Sequence, residues 1–182
     1  MNILKNMNLP NKLTCLRMVL IPVFLVFFYA PFSAGRYIAL AVFIAASLTD
    51  TADGYIARKY DLVTDFGKFM DPLADKLLVC TALICLVGTQ EIPAWIVIVI
   101  IAREFIISGF RLVAADNGIV IAASWWGKIK TVVQMALIIV MLLNIGSWRT
   151  FEIILTAAAV ILTIVSLIDY IWKNRSVLGS AA

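Results

Sequence analysis

No histidine occurs among the 182 residues, and the three cysteines, Cys15, Cys80 and Cys85, sit in apolar runs without zinc-like pairing. The first absence removes imidazole as a base, nucleophile or metal ligand; the second removes a zinc site and leaves the thiols as packing residues. Charge is scarce as well. Lys, Arg, Asp and Glu make up 14% of the chain, 63% is hydrophobic and the mean hydropathy is +1.02. That balance excludes an ordinary soluble domain, and the length accommodates about six apolar spans of roughly 20 residues. No low-complexity linker, no repeat of 20–50 residues and no soluble appendage interrupts it.

Hydrophobic runs predict spans over 13–30, 37–58, 66–88, 93–114, 123–145 and 150–172, separated by short polar or turn-rich segments. The expected fold is therefore all-α: an integral membrane bundle of six transmembrane helices forming one domain over residues 1–182. Ahead of it, Ile3, Leu4, Met7 and Leu9 alternate with Asn2, Lys5, Asn6 and Asn8, a short amphipathic segment expected to lie at the interface and stay attached. An even number of spans puts both termini on one side. That side then carries thirteen of the fifteen Lys and Arg residues, Arg17, Arg103 and Lys130 among them, and the other carries Arg36 and Arg149. The positive-inside rule assigns the richer side to the cytoplasm, so the expected location is the cell membrane with the termini facing inward. The net charge of +4 reads as topology and attraction to anionic membrane lipids, with no nucleic-acid partner.

Against this apolar background, Asp50, Asp53, Asp71 and Asp75 fall within 26 residues. Carboxylates at membrane depth are costly, so they face a cavity, a partner or a metal rather than lipid. At about 100° per residue, Asp50, Asp53, Gly54 and Ala57 share one helix face, where two carboxylates stand beside two positions with almost no side chain. Gly67, Asp71 and Asp75 step by four along the next helix. Unpaired, the four carboxylates would repel one another and take up protons; divalent cations would hold all four ionised. Only hard oxygen ligands are on offer, which points to Mg²⁺ or Mn²⁺, and two such ions about 3.5–4 Å apart suit a phosphoryl displacement. Ca²⁺ fits less well, because nothing resembles a flexible ligand-rich loop.

The run Asp50-x2-Asp53-Gly54-x2-Ala57-Arg58-x8-Gly67-x3-Asp71-x3-Asp75 resembles, at every fixed position, the signature of the CDP-alcohol phosphotransferases, membrane enzymes of phospholipid synthesis. The resemblance implies that Asp50, Asp53 and Asp71 are metal ligands, and that Asp75 both touches the metal site and accepts the proton of the attacking alcohol. It also implies contacts to the CDP-lipid from Gly54, Ala57, Arg58, Thr64 and Gly67, and from Asn11 and Thr14 in the entry segment. A homodimer is the implied assembly. The residues admit plainer roles too: Gly54 and Ala57 as close-packing positions, Arg58 as a membrane anchor, Thr64 and Asn11 as helix caps, and Thr14 bonded back to its own helix.

The motif leaves the acceptor alcohol open. Arg103 and Arg111 lie eight residues apart, about 80° around one helix, and Lys128 and Lys130 open the following span. These four cations suit an acceptor carrying a phosphate. Ala102-Arg103-Glu104-Phe105 and Gly127-Lys128-Ile129-Lys130-Thr131 also resemble segments of the branch of the family that uses glycerol 3-phosphate. The expected reaction is transfer of a phosphatidyl group from CDP-diacylglycerol to glycerol 3-phosphate, with inositol phosphate, phosphatidylglycerol or serine as other acceptors. A topological belt partly neutralised by Glu104 or Asp116 is the alternative for the cluster, and a divalent-cation transporter or a nonenzymatic lipid-binding protein the alternative for the chain.

Overall fold

The structure, a computed structural model, describes residues 8–60, 64–116, 118, 119, 121, 122 and 124–175. The side chains at 50–55, 57, 58, 65, 66, 68, 69 and 116 lie outside the described residues, as do residues 1–7, which hold most of the expected amphipathic segment. The described residues form six α-helices: α1 (Leu9–Phe28), α2 (Gly35–Lys59), α3 (Asp65–Gly88), α4 (Ala94–Asp116), α5 (Trp125–Leu143) and α6 (Arg149–Lys173), the last preceded by a 3-10 turn at Gly146–Trp148. The chain is all-α among the described residues, as its composition implies. Among the described residues three helical stretches, Leu9–Phe28, Trp125–Leu143 and Gly146–Lys173, are long and apolar enough to cross a membrane. The chain divides into two compact units, Met1–Cys85 and Leu86–Ala182.

In the first unit, α1 starts where Asn8 caps it: the Asn8 Oδ1 accepts from the Asn11 backbone N–H at 3.1 Å, and Pro10 occupies the first turn, where a missing N–H costs nothing. Its buried stripe, Pro10, Asn11, Thr14, Arg17, Ile21, Phe24 and Phe28, follows helical spacing but changes character along the helix. The carboxyl-terminal half is apolar, with the Phe24 ring 5.7 Å from that of Phe28 and 6.2 Å from that of Phe43 on α2. The amino-terminal half is polar. Arg17, one of the thirteen cations counted on the richer side, is fully buried and donates from Nε to the Ala46 carbonyl of α2 at 3.3 Å. The small Ala46, itself fully buried, leaves room for that approach.

In the second unit, both α4 and α5 pack on α6. Ser124 caps α5, its Oγ accepting from Gly127 N at 3.1 Å, and Asn144 closes it in the left-handed conformation, φ 49°. Ile100, Leu137, Ile138 and Leu142 form a dry core, and a polar seam of Arg103, Lys130, Gln134, Thr163 and Ser166 is buried beside it. The outer face of α6 presents Ile153, Ile154, Ile161, Ile164 and Ile168. A surface of that kind is stable against lipid and prone to association in water.

Candidate active site

Two backbone signals bring one polar cluster together. The Asn8 cap sets the start of α1, and Thr64, immediately before α3, caps that helix by accepting from Gly67 N on Oγ1 at 3.1 Å. Thr64 therefore fills the plainer role weighed for it, but it also reaches across 53 residues, its hydroxyl donating to Asn11 Oδ1 at 2.9 Å. The plainer role weighed for Asn11, a helix cap, falls to Asn8 instead, because the helix begins at Leu9 and Asn11 already lies inside it, buried.

Thr14, one turn further along α1, is buried and lies 3.2 Å from the Pro10 carbonyl, the back-bond weighed for it. Its hydroxyl also meets Asp71 Oδ1 on α3. A hydroxyl has one proton, and the carboxylate is the stronger acceptor, so Thr14 donates to Asp71. Gly67 completes the arrangement. A Cβ there would stand 3.2 Å from Asn11 Oδ1 and 3.3 Å from Thr64 Oγ1, tighter than ordinary contact, and 3.4 Å from Asp71 Oδ2, at contact distance. The glycine is what lets three oxygens face the α3 backbone. Asp75, four residues beyond Asp71 on the same face, is half-buried.

Thus Asn11, Thr14, Thr64, Gly67 and Asp71 converge, with Asp75 one turn away. Asp50, Asp53, Gly54, Ala57 and Arg58 belong to the last turns of α2, and their side chains lie outside the described residues. Among the described residues no group of three His, Cys, Asp or Glu is placed to hold a metal, since two of the four aspartates are outside that set. The donors that surround Gly67 are all oxygens, the chemistry that fits a hard divalent cation.

The cationic cluster belongs to the second unit and divides in two. Arg103 and Lys130 are buried, 7% and 2% exposed, which removes them from a surface belt. Glu104 lies between them: its Oε1 accepts from Arg103 NH1 at 3.0 Å and from Lys130 Nζ. Arg103 Nε donates to Ser166 Oγ on α6 at 3.1 Å, and the Ser166 hydroxyl donates to the Thr163 carbonyl at 3.0 Å. Two buried cations thus converge on a single carboxylate oxygen, a concentration of charge-assisted donors at one buried point. A Cβ at Gly127 would stand 3.2 Å from Arg103 NH2, so the first turn of α5 lies close to that edge of the guanidinium.

Arg111 is separate from this group. Its Nε donates to Tyr170 OH at 3.2 Å, and its guanidinium carbon lies 5.6 Å from the Tyr170 ring centre. Lys128 is exposed. Ser166, Tyr170 and Gln134 were missed by reasoning from sequence. A signal existed for the first two: the buried stripe of α6, Ala159, Thr163, Ser166 and Tyr170, places hydroxyls at helical spacing in an otherwise apolar helix.

A family model described as CDP-alcohol phosphatidyltransferase matches residues 7–165. The chain is 48% identical over 190 aligned positions to the CDP-diacylglycerol–glycerol-3-phosphate 3-phosphatidyltransferase of Bacillus subtilis (strain 168), covering 96% of this chain and 98% of that one. It is 42% identical to the probable phosphatidylglycerophosphate synthase of Mycobacterium tuberculosis (strain ATCC 25618 / H37Rv), over 94% of this chain and 84% of the relative. It is also 42% identical to the CDP-diacylglycerol–glycerol-3-phosphate 3-phosphatidyltransferase of Haemophilus influenzae, over 90% and 91%.

Proposed function

The chain belongs to the CDP-alcohol phosphatidyltransferase family, and we propose that it transfers the phosphatidyl group of CDP-diacylglycerol to sn-glycerol 3-phosphate, giving phosphatidylglycerophosphate and CMP. The observation that carries this reading is 48% identity over nearly the whole chain, 96% of it, to a relative named for that reaction. The pair of buried cations sharing one carboxylate supports the phosphorylated acceptor.

Asp50, Asp53, Asp71 and Asp75 would hold one or two Mg²⁺ or Mn²⁺ ions, which when bound neutralise the pyrophosphate and ease the departure of CMP. The remaining work falls to the chain's own groups. Thr14 orients the Asp71 carboxylate. Gly54, Ala57 and Gly67 let the CDP-lipid come close to the backbone, Arg58 offers a cationic fork to phosphate, and Asn11 and Thr64 fix the polar wall around Gly67. Arg103 and Lys130 receive the acceptor's phosphate, with Arg111 and Lys128 as further cations. Asp75 accepts the proton of the glycerol 1-hydroxyl as its oxygen attacks the phosphorus attached to the lipid; the bond from that phosphorus to the bridging oxygen breaks, and CMP leaves.

Six membrane spans, both termini and the aspartates toward the cytoplasm, one catalytic domain over 1–182 and a homodimer complete the proposal. Thirteen cations against two support the orientation, and the family match from residue 7 to 165, which crosses from one unit into the other, supports a single domain. Purified protein given CDP-diacylglycerol with glycerol 3-phosphate, glycerol, serine or inositol phosphate should release CMP fastest with glycerol 3-phosphate. Faster release with another acceptor would reassign the substrate.

A further inference from the structure

Gln134 lies on α5 four residues beyond Lys130, so the two side chains leave the same helix face about 6 Å apart along its axis. It is 2% exposed, and its Oε1 is buried with no hydrogen-bond partner among the described residues. Leu137, Ile138 and Leu142 on the same helix are fully buried. In such surroundings a leucine or methionine would fill the volume at no polar cost, whereas an amide oxygen stripped of water and given no donor is unfavourable. In the adjoining cluster Arg103 Nε donates to Ser166, and Arg103 NH1 and Lys130 Nζ donate to Glu104; none of these bonds reaches Gln134 Oε1. A donor arriving with a ligand resolves the imbalance.

The chemistry of the ligand names the donor. This step rests on the reading that Arg103 and Lys130 receive the acceptor's phosphate. In glycerol 3-phosphate the C3 oxygen carries that phosphate, and the C1 hydroxyl is consumed by the reaction, its proton passing to Asp75. The C2 hydroxyl is the donor left over, and Lys130 and Gln134, buried one helical turn apart on the same face of α5, stand where one small ligand meets both. We propose that Gln134 is a specificity-determining residue whose amide oxygen accepts a hydrogen bond from the C2 hydroxyl of the phosphorylated acceptor. Lys130 and Arg103 select for the phosphate; Gln134 selects for the glycerol backbone. A site built around a hydroxyl rejects the analogue lacking it, because the buried acceptor is then left unpaired.

The test compares glycerol 3-phosphate with 3-hydroxypropyl phosphate, which keeps the phosphate and the reacting hydroxyl and lacks only the C2 hydroxyl. The intact enzyme should favour glycerol 3-phosphate in kcat/KM by about tenfold or more. Gln134→Met, which preserves volume, should lower kcat/KM for glycerol 3-phosphate by about that factor and leave the deoxy acceptor within about twofold, so that the preference collapses. The KM for CDP-diacylglycerol should not move. Gln134→Asn, which keeps the amide and withdraws it by one methylene, should give the same collapse and serves where the methionine variant is not recovered. An equal loss on both acceptors, or an undiminished preference, would return Gln134 to helix packing. Failure of the intact enzyme to use either phosphorylated acceptor would overturn the acceptor reading itself and this inference with it.

Discussion

Thr14→Val removes a hydroxyl and little else. The side chain is 1% exposed, valine has nearly the same shape, and the hydroxyl's partner is the Asp71 carboxylate on a different helix. Losing a hydrogen bond to a charged group is worth about 1.5–3 kcal/mol, or one to two decades in an equilibrium. Part of that loss falls on fold stability, since the bond ties α1 to α3, and part on the orientation of Asp71. CMP release measured against Mg²⁺ concentration separates the two. The concentration needed for half-maximal activity should rise about tenfold or more, with the KM for glycerol 3-phosphate within about twofold of the parent. Thr14→Ser, which restores the hydroxyl without the methyl, should recover most of the difference. An unchanged metal dependence in the valine variant, in protein that elutes as the parent does, would refute the assignment of Thr14 to Asp71.

Asp75→Asn should retain CDP-diacylglycerol binding while losing turnover by several decades, as binding and single-turnover measurements would show; normal turnover would remove Asp75 from proton transfer. Gly67→Ala places a methyl against three oxygens and should reduce CMP release about tenfold or more in folded protein, whereas parental activity would mean that the wall around Gly67 is not part of the site.

The helices were legible because polar and turn-forming segments punctuate the apolar runs. The largest error is at α1, which begins four residues before the expected span because the Asn8 cap and Pro10 extend the helix beyond the hydrophobic run. The shared face of Asp71 and Asp75 was legible for a different reason: spacing along a helix fixes which positions share a face without reference to anything distant, and the two lie one turn apart on α3. What escaped were pairings across long separations. Thr64 with Asn11, Thr14 with Asp71 and Arg103 with Ser166 are 53, 57 and 63 residues apart, and a serine in an apolar helix carries no local mark of its partner. Lys128 and Lys130 show the opposite lesson. Two residues apart is about 200° around a helix, so one cation was bound to face outward where the other faced in, and only the second is buried. The burial of Arg17 was not legible either, because anchoring cations and buried ones look alike in a sequence.

The most direct measurement of the central claim is the fate of labelled glycerol 3-phosphate in vesicles containing the purified protein, CDP-diacylglycerol and Mg²⁺. The account predicts label in the chloroform-soluble fraction as phosphatidylglycerophosphate, one CMP released for each lipid labelled, and neither product from Asp71→Asn. CMP released without labelled lipid, or labelled lipid formed undiminished by Asp71→Asn, would contradict it.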